Sequence, residues 1–191
     1  RNGHLTAFFY DERGNVIRVV RYRLENPAEI LSDVRFAYEA TFNQVVRTVD
    51  ANGNATTFDY DHNSNLIRTT RALGATSRVT EVTCDPKGLP LSIKDPLGGI
   101  TRFEYDPHGR KTAVIDPMGN RTSFTYDTIG RLLTTTDPLG RTLTNTYDAN
   151  GNLLTVTNVL GHKITSTYDA DGRVLAVTDP NGQVTRNEYN G

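Results

Sequence analysis

Residues 126–140 read YDTIGRLLTTTDPLG, and nearly the same string stands at 105 (YDPHGRKTAVIDPMG), 147 (YDANGNLLTVTNVLG) and 168 (YDADGRVLAVTDPNG). A tyrosine, an acid, two glycines and usually a proline recur, with no obvious catalytic group among them. The anchor pairs are Tyr105-Asp106, Tyr126-Asp127, Tyr147-Asp148 and Tyr168-Asp169, with Tyr189 next, 21 residues apart each time. Cys84 lies one period before Tyr105 and is also followed by aspartate, so it reads as a degenerate copy. Tyr60-Asp61, Tyr38 and Tyr10-Asp11 continue the series upstream at intervals of 24, 22 and 28. Eight of the nine tyrosines share one phase, which makes a repeat architecture the primary reading.

Each unit has one grammar. Four residues after tyrosine comes glycine (Gly14, Gly88, Gly109, Gly130, Gly151, Gly172). A run rich in Val, Leu, Ile and Thr follows, then Asp-Pro-x-Gly: Pro96 with Gly98, Pro117 with Gly119, Pro138 with Gly140, Pro180 with Gly182, and Gly161 in a variant copy. A second run such as NRTSFTY leads back to tyrosine. β-branched and aromatic runs bounded by such clusters read as strands. Proline presets φ for the first central turn residue, and glycine supplies positive φ. Two strands per repeat with tight turns at both ends make an antiparallel ribbon. Helical spacing is suggested only in NPAEILSDV (26–34), inside a long early insertion.

Composition narrows the function classes. Lys and Arg number 21 against 22 Asp and Glu, so no basic excess points to nucleic acid. Apolar residues are 36% and Trp is absent, too little material for a thick core. Aliphatic residues come singly or in pairs, so neither a transmembrane run nor a signal-peptide core is expected. Cys84 stands alone and leaves the redox compartment open.

In the second strand Thr122, Phe124 and Tyr126 share a face, as do Thr101, Phe103 and Tyr105, while Arg102, Glu104, Ser123, Thr125, Thr165 and Thr167 point to a wet face. Equivalent tyrosines fall two strands apart, about 9–10 Å, beyond the usual ring-pair distance. Each is expected to pack over the intervening strand, where Leu132, Leu153 or Val174 is available. About eight repeats give roughly 16 strands, more than a twisted open sheet usually holds without curling. The expected fold is all-β: tandem hairpins of about 21 residues forming a curved, spiralling sheet. One array fills residues 1–191, with longer irregular units at 10–84 and regular ones at 84–189.

Tyr-Asp-x-x-Gly-Arg-Leu followed by Asp-Pro-x-Gly resembles the YD repeat of Rhs proteins, of the B and C subunits of Tc toxins, of wall-associated bacterial contact toxins and of animal teneurins. The stretch YEATFNQVVRTVDANGNATTFDYD (38–61) resembles an Rhs variant with one extra residue after the aromatic-acid pair. Asn158-Val159 and Arg71-Ala72 replace Asp-Pro, and Ser64 replaces the glycine; these copies are expected to need other turn types. The resemblance implies a hollow β-cocoon enclosing a C-terminal toxin, delivered by type VI secretion or Tc-type injection. Its partners would be the rest of the shell, the enclosed toxin and a secretion-apparatus protein, and its place that of a secreted or delivered bacterial effector. An autocleavage segment is not recognised: Asp95-Pro96-Leu97-Gly98-Gly99 is in repeat phase and reads as a turn.

Candidate chemistry is weak beside structural readings. His4, His62, His108 and His162 fall at turn positions without metal-ligand spacing. DADG (169–172) and DANGN (148–152) lack the later glutamate of a calcium loop and suit tight turns. Asp127 with Asp137, or Asp106 with Asp116, could suggest glycosidase carboxylates, yet the same pair in every repeat reads as turn capping. No nucleophile elbow is present. Arg110, Arg131 and Arg173 could bind anions, but interleaved aspartates make a salt-bridge ladder the better account. The residues named are thus structural anchors and turns, and no enzyme, metal or cofactor is expected. A toxin-sequestering wall segment is the leading reading; an adhesion or glycan-binding array is the alternative. RNGHLT at the start and EYNG at the end fall mid-repeat, so a piece of a longer shell is expected.

Overall fold

The computed structural model describes residues 3–189, so Arg1, Asn2, Asn190 and Gly191, on which the reading of the ends partly rests, lie outside the described residues. Residues 1–100 and 101–191 form two compact units. The first holds β1 (His4–Tyr10), β2 (Val16–Arg23), β3 (Asn26–Tyr38), β4 (Val45–Val49), β5 (Ala55–Tyr60), β6 (Leu66–Leu73), β7 (Thr76–Cys84) and β8 (Pro90–Lys94). The second holds, from Thr101 onward, β9 (Ile100–Tyr105), β10 (Lys111–Ile115), β11 (Arg121–Tyr126), β12 (Leu132–Thr136) and β13 (Thr142–Tyr147). It continues with β14 (Leu153–Thr157), β15 (Lys163–Tyr168), β16 (Val174–Thr178) and β17 (Val184–Arg186). Within each unit consecutive strands pair antiparallel. No described residue is helical, and no helix is long enough and apolar enough to cross a membrane. The all-β tandem-hairpin fold is the one the repeat grammar predicts.

One turn serves both ends of the hairpins. Asp127 accepts the N–H groups of Ile129 and Arg131 on Oδ1 at 3.0 and 2.9 Å, and its carbonyl accepts the Gly130 N–H at 3.1 Å. Asp137 holds Leu139 and Arg141 in the same way at 2.9 Å each. The glycine closing each turn lies between φ 78° and 94°, the left-handed region a Cβ resists. This is a type I turn followed by a one-residue bulge. At the tyrosine end the ladder slips by one residue, pairing Thr125 with Thr134 but Tyr126 with Leu132.

Three sequence expectations need correction. Residues 26–34 are strand: β3 pairs with β2, and shifts around Tyr22 break the two-residue alternation into a helix-like spacing. Ser64 and Asn158 do not change the turn. Ser64 takes φ 68° and keeps its bond to the Asp61 carbonyl, while Asn158 accepts the N–H groups of Leu160 and His162 at 3.0 Å each. Of the three departures, the copy at Arg71-Ala72 does differ; there β6 and β7 run on and close through Gly74-Ala75, with Gly74 at φ 61°. Positive φ at the first central position alone marks a type II′ turn. His4 opens β1 rather than a turn.

Apolar burial is thin. Among the described residues only Val20 and Ala113 are fully buried, and no polar residue is. Each unit is a single layer of sheet, and its strength must come from strand pairing and side-chain bonds along the array.

Candidate functional site: the repeat junctions

The tyrosines close their strands and reach back to the hairpin before. Tyr147 donates its hydroxyl to the Leu132 carbonyl at 2.8 Å. Tyr126 does so to Lys111, Tyr168 to Leu153, Tyr189 to Val174 and Tyr60 to Val45, at 2.8–2.9 Å. Tyr38 reaches Val16 across the long hairpin at 3.0 Å. The acceptor is available because the β12–β13 ladder begins at Thr134 with Thr144, leaving Leu132 beyond its end. A carbonyl without a ladder partner needs another donor, and tyrosine supplies it from the next strand. Asn145 and Asn187 add a second donor to the same carbonyls of Leu132 and Val174, at 3.0 Å each. Tyr10 ends β1, which no described strand precedes; Tyr105 ends β9 opposite Lys111.

The aspartate beside Tyr105, Tyr126, Tyr147 or Tyr168 carries the second half of the junction. Arg131 gives Nε to Asp127 at 2.6 Å and Nη1 to the Asp148 carbonyl at 2.8 Å, and its guanidinium lies 4.9 Å from the Tyr147 ring centre. Arg110 repeats this with Asp106, the Asp127 carbonyl and the Tyr126 ring at 5.1 Å. Arg173 pairs with Asp169 and covers Tyr189 at 5.0 Å. The arginines therefore form a ladder bonded within the sheet, not a free anion-binding row. Where the repeat has asparagine, Asn152 bonds Asp148 at 2.9 Å. In the first unit Asn15 and Asn43 exchange amide bonds across repeats at 2.7 and 2.6 Å. The extra residue after Tyr38 is absorbed by Glu39, whose longer side chain gathers the N–H groups of Thr41, Phe42 and Gln44.

These bonds set the charge state of the turns. Asp148 is held below the ordinary carboxylate range by the Asn152 amide, then by the Asn152 backbone N–H. At Asp127 partial burial pushes upward, but the bonds from the Arg131 side chain and N–H outweigh it. Asp169 is lowered first by the Arg173 N–H. Each stays ionised and engaged as a turn clamp. No group of three metal-ligating side chains stands together among the described residues. Cys84 ends β7 in the tyrosine's place as a free thiol, its pKa raised first by burial.

The RHS Repeat family model matches residues 41–76, 85–117, 112–142, 147–184 and 168–191, well over half of the chain. This chain belongs to the RHS repeat family. The crystal structure of TcdB2-TccC3-Cdc42 shares its fold with a TM-score of 0.78 and 15% identity, over 93% of this chain and 10% of that one. The TcdB2-TccC3 structure without its hypervariable C-terminal region gives 0.79 and 15%, over 93% and 10%. The Photorhabdus luminescens Tc holotoxin pore gives 0.79 and 17%, over 97% and 12%. The chain thus spans about a tenth of the length of the chains it matches. No curated protein sequence matches it.

For an Rhs repeat the sequence showed which residues are anchors but not what they hold. Leu132, Leu153 and Val174, expected to lie under the rings, offer their carbonyls to the hydroxyls. The wet face also has more order than its polarity alone indicated. Thr125, Thr134, Thr144 and Thr157 stand in register across four strands, with Thr125 and Thr134 sharing a hydroxyl bond of 2.6 Å. Thr146, Thr155, Thr165 and Thr178 form a second row. The signal is threonine at alternate positions of both strands, as in LLTTT (132–136) and LLTVT (153–157) beside TLTNTY (142–147).

Proposed function

We propose that this chain is a wall segment of an Rhs shell that encloses a toxin domain and sequesters it until delivery, contributing no catalytic step itself. The observation that carries the reading is the junction. Tyr38, Tyr60, Tyr126, Tyr147, Tyr168 and Tyr189 direct their hydroxyls to the neighbouring repeat, often joined by an arginine or asparagine, while the turn carboxylates are taken up by backbone N–H groups. Such a unit propagates a wall and leaves no activated group for chemistry. The Tc toxin assemblies with the same fold support it as the family's use of the repeat. With the reading come a secreted or delivered location, and as partners the rest of the shell, the enclosed toxin and a delivery apparatus.

The glycan-binding alternative needs open aromatic platforms. Arginines cover the rings of Tyr126, Tyr147 and Tyr189, which weighs against it. Electron cryo-microscopy of the complete gene product tests the proposal. The expected density is a continuous repeat wall around a volume filled by polypeptide outside the repeats. An open sheet with nothing enclosed, together with saturable binding to an oligosaccharide panel, would overturn it.

A further inference from the structure

The tyrosine bonds follow one register rule. Each acceptor carbonyl belongs to the residue that pairs with the preceding tyrosine past the one-residue slip. Leu132 pairs with Tyr126 and accepts Tyr147, and Leu153 pairs with Tyr147 and accepts Tyr168. The bonds of Tyr38, Tyr60, Tyr126 and Tyr189 obey the same rule. It places another acceptor at Leu66, which pairs with Tyr60. The strand that should bring the donor, β7, ends in Cys84, and among the described residues no side chain donates to the Leu66 carbonyl.

The surface is hollow where that ring would lie. A cavity of about 570 Å³ is lined by Asp61, Ile67, Val82 and Cys84 among others. In the register set by Arg68 and Glu81, Ile67 stands opposite Val82, on the face that Cys84 shares. A ring reaching from position 84 to the Leu66 carbonyl has to pass over them. Leu66 is 39% exposed, whereas Val16, Val45, Lys111, Leu132, Leu153 and Val174, which each receive a tyrosine, are half-buried. The rest of the junction is in place. Asn65 bonds Asp61 at 2.9 Å, as Asn152 bonds Asp148 beside the filled slot of Tyr168.

We propose that this hollow is a receptor slot for a phenol ring, the tyrosine side chain of a polypeptide segment outside this array. The filled slots define the ligand: a flat ring, and one hydroxyl that donates to a backbone carbonyl at 2.8–3.0 Å. Those six tyrosines are committed to their own acceptors, so the ring comes from another segment. The Cys84 thiol matters only in being too small to fill the slot.

Methyl NMR of the chain, titrated with N-acetyltyrosinamide or N-acetylphenylalaninamide, tests the proposal. The tyrosine compound should shift the methyls of Leu66, Ile67 and Val82 saturably. The phenylalanine compound should bind about fivefold more weakly, the worth of one hydrogen bond. Cys84→Ala should keep the binding. Cys84→Tyr supplies the residue that the other slots hold, so it should fold with an unchanged circular-dichroism spectrum, raise the urea midpoint and abolish the shifts. The proposal is overturned if the three methyls do not respond, if the two compounds bind equally, if Cys84→Ala loses the binding or if Cys84→Tyr retains it.

Discussion

A tyrosine that donates to a carbonyl in the previous hairpin is the smallest unit of this protein. The sequence makes its phase plain, because the ring recurs with the turns. Its acceptor is not legible, because a backbone atom 15 residues earlier leaves no mark in the side chains. The Leu132 carbonyl has Asn145 as a second donor, whereas among the described residues no side-chain amide joins Tyr168 at the Leu153 carbonyl. Tyr168→Phe should therefore cost about 1 kcal/mol and Tyr147→Phe clearly less, read as urea midpoints. Equal losses would mean that the Asn145 amide does not compensate, and no loss in either variant would mean that the hydroxyl bonds do not bear on stability. Gly130 poses a different question at the same scale. A Cβ there would meet nothing closer than 4.0 Å, so the cost of substitution lies in its φ of 94°. Gly130→Val should cost about 1–3 kcal/mol. Thr134→Val, in a strand that welcomes β-branching, should lose only an exposed hydroxyl bond and gain propensity. Comparable melting temperatures for the two would refute the turn geometry.

Turns and strands add a second layer of order. The turn chemistry was legible from Asp, Pro and Gly, but its tolerance was not: Ser64 and Asn158 were expected to need other turns and do not. Asparagine keeps the oxygen that accepts both N–H groups, and serine bears a strained φ rather than altering the loop. Residues 26–34 misled for the opposite reason, because bulges disturb the alternation by which a strand is recognised. Arg131 bridges two repeats and covers Tyr147, whereas Arg141 bonds only within its own turn. Lysine has neither the fork nor the plane. Arg131→Lys should lower the melting temperature measurably, and Arg141→Lys should stay within about 0.5 kcal/mol of wild type. Acid should act through the turn carboxylates, whose folded pKa values lie below their unfolded ones. Their stabilisation is complete above the unfolded value and is lost as pH falls through the folded one. The melting temperature should hold from neutral to mildly acidic pH and decline below about pH 4. Asp116→Asn/Asp137→Asn should change little at pH 7 and flatten that decline; an unaltered slope would argue against the turn carboxylates as its source.

The molecule as a whole was legible as a class because one grammar recurs along it, and a hairpin ribbon is the only compact use of two short strands bounded by tight turns. Function entered through family resemblance, since no motif of the repeat names a reaction. On the proposed function, the repeats form a wall that withholds another segment from solvent. Timed proteolysis of the complete gene product, read by mass spectrometry, tests that claim most directly. Segments outside the repeats should resist cleavage while the shell is intact and be cut at once when mild denaturant opens it. If those segments are cut as quickly in the intact protein as in the opened one, the repeats enclose nothing and are not a sequestering wall.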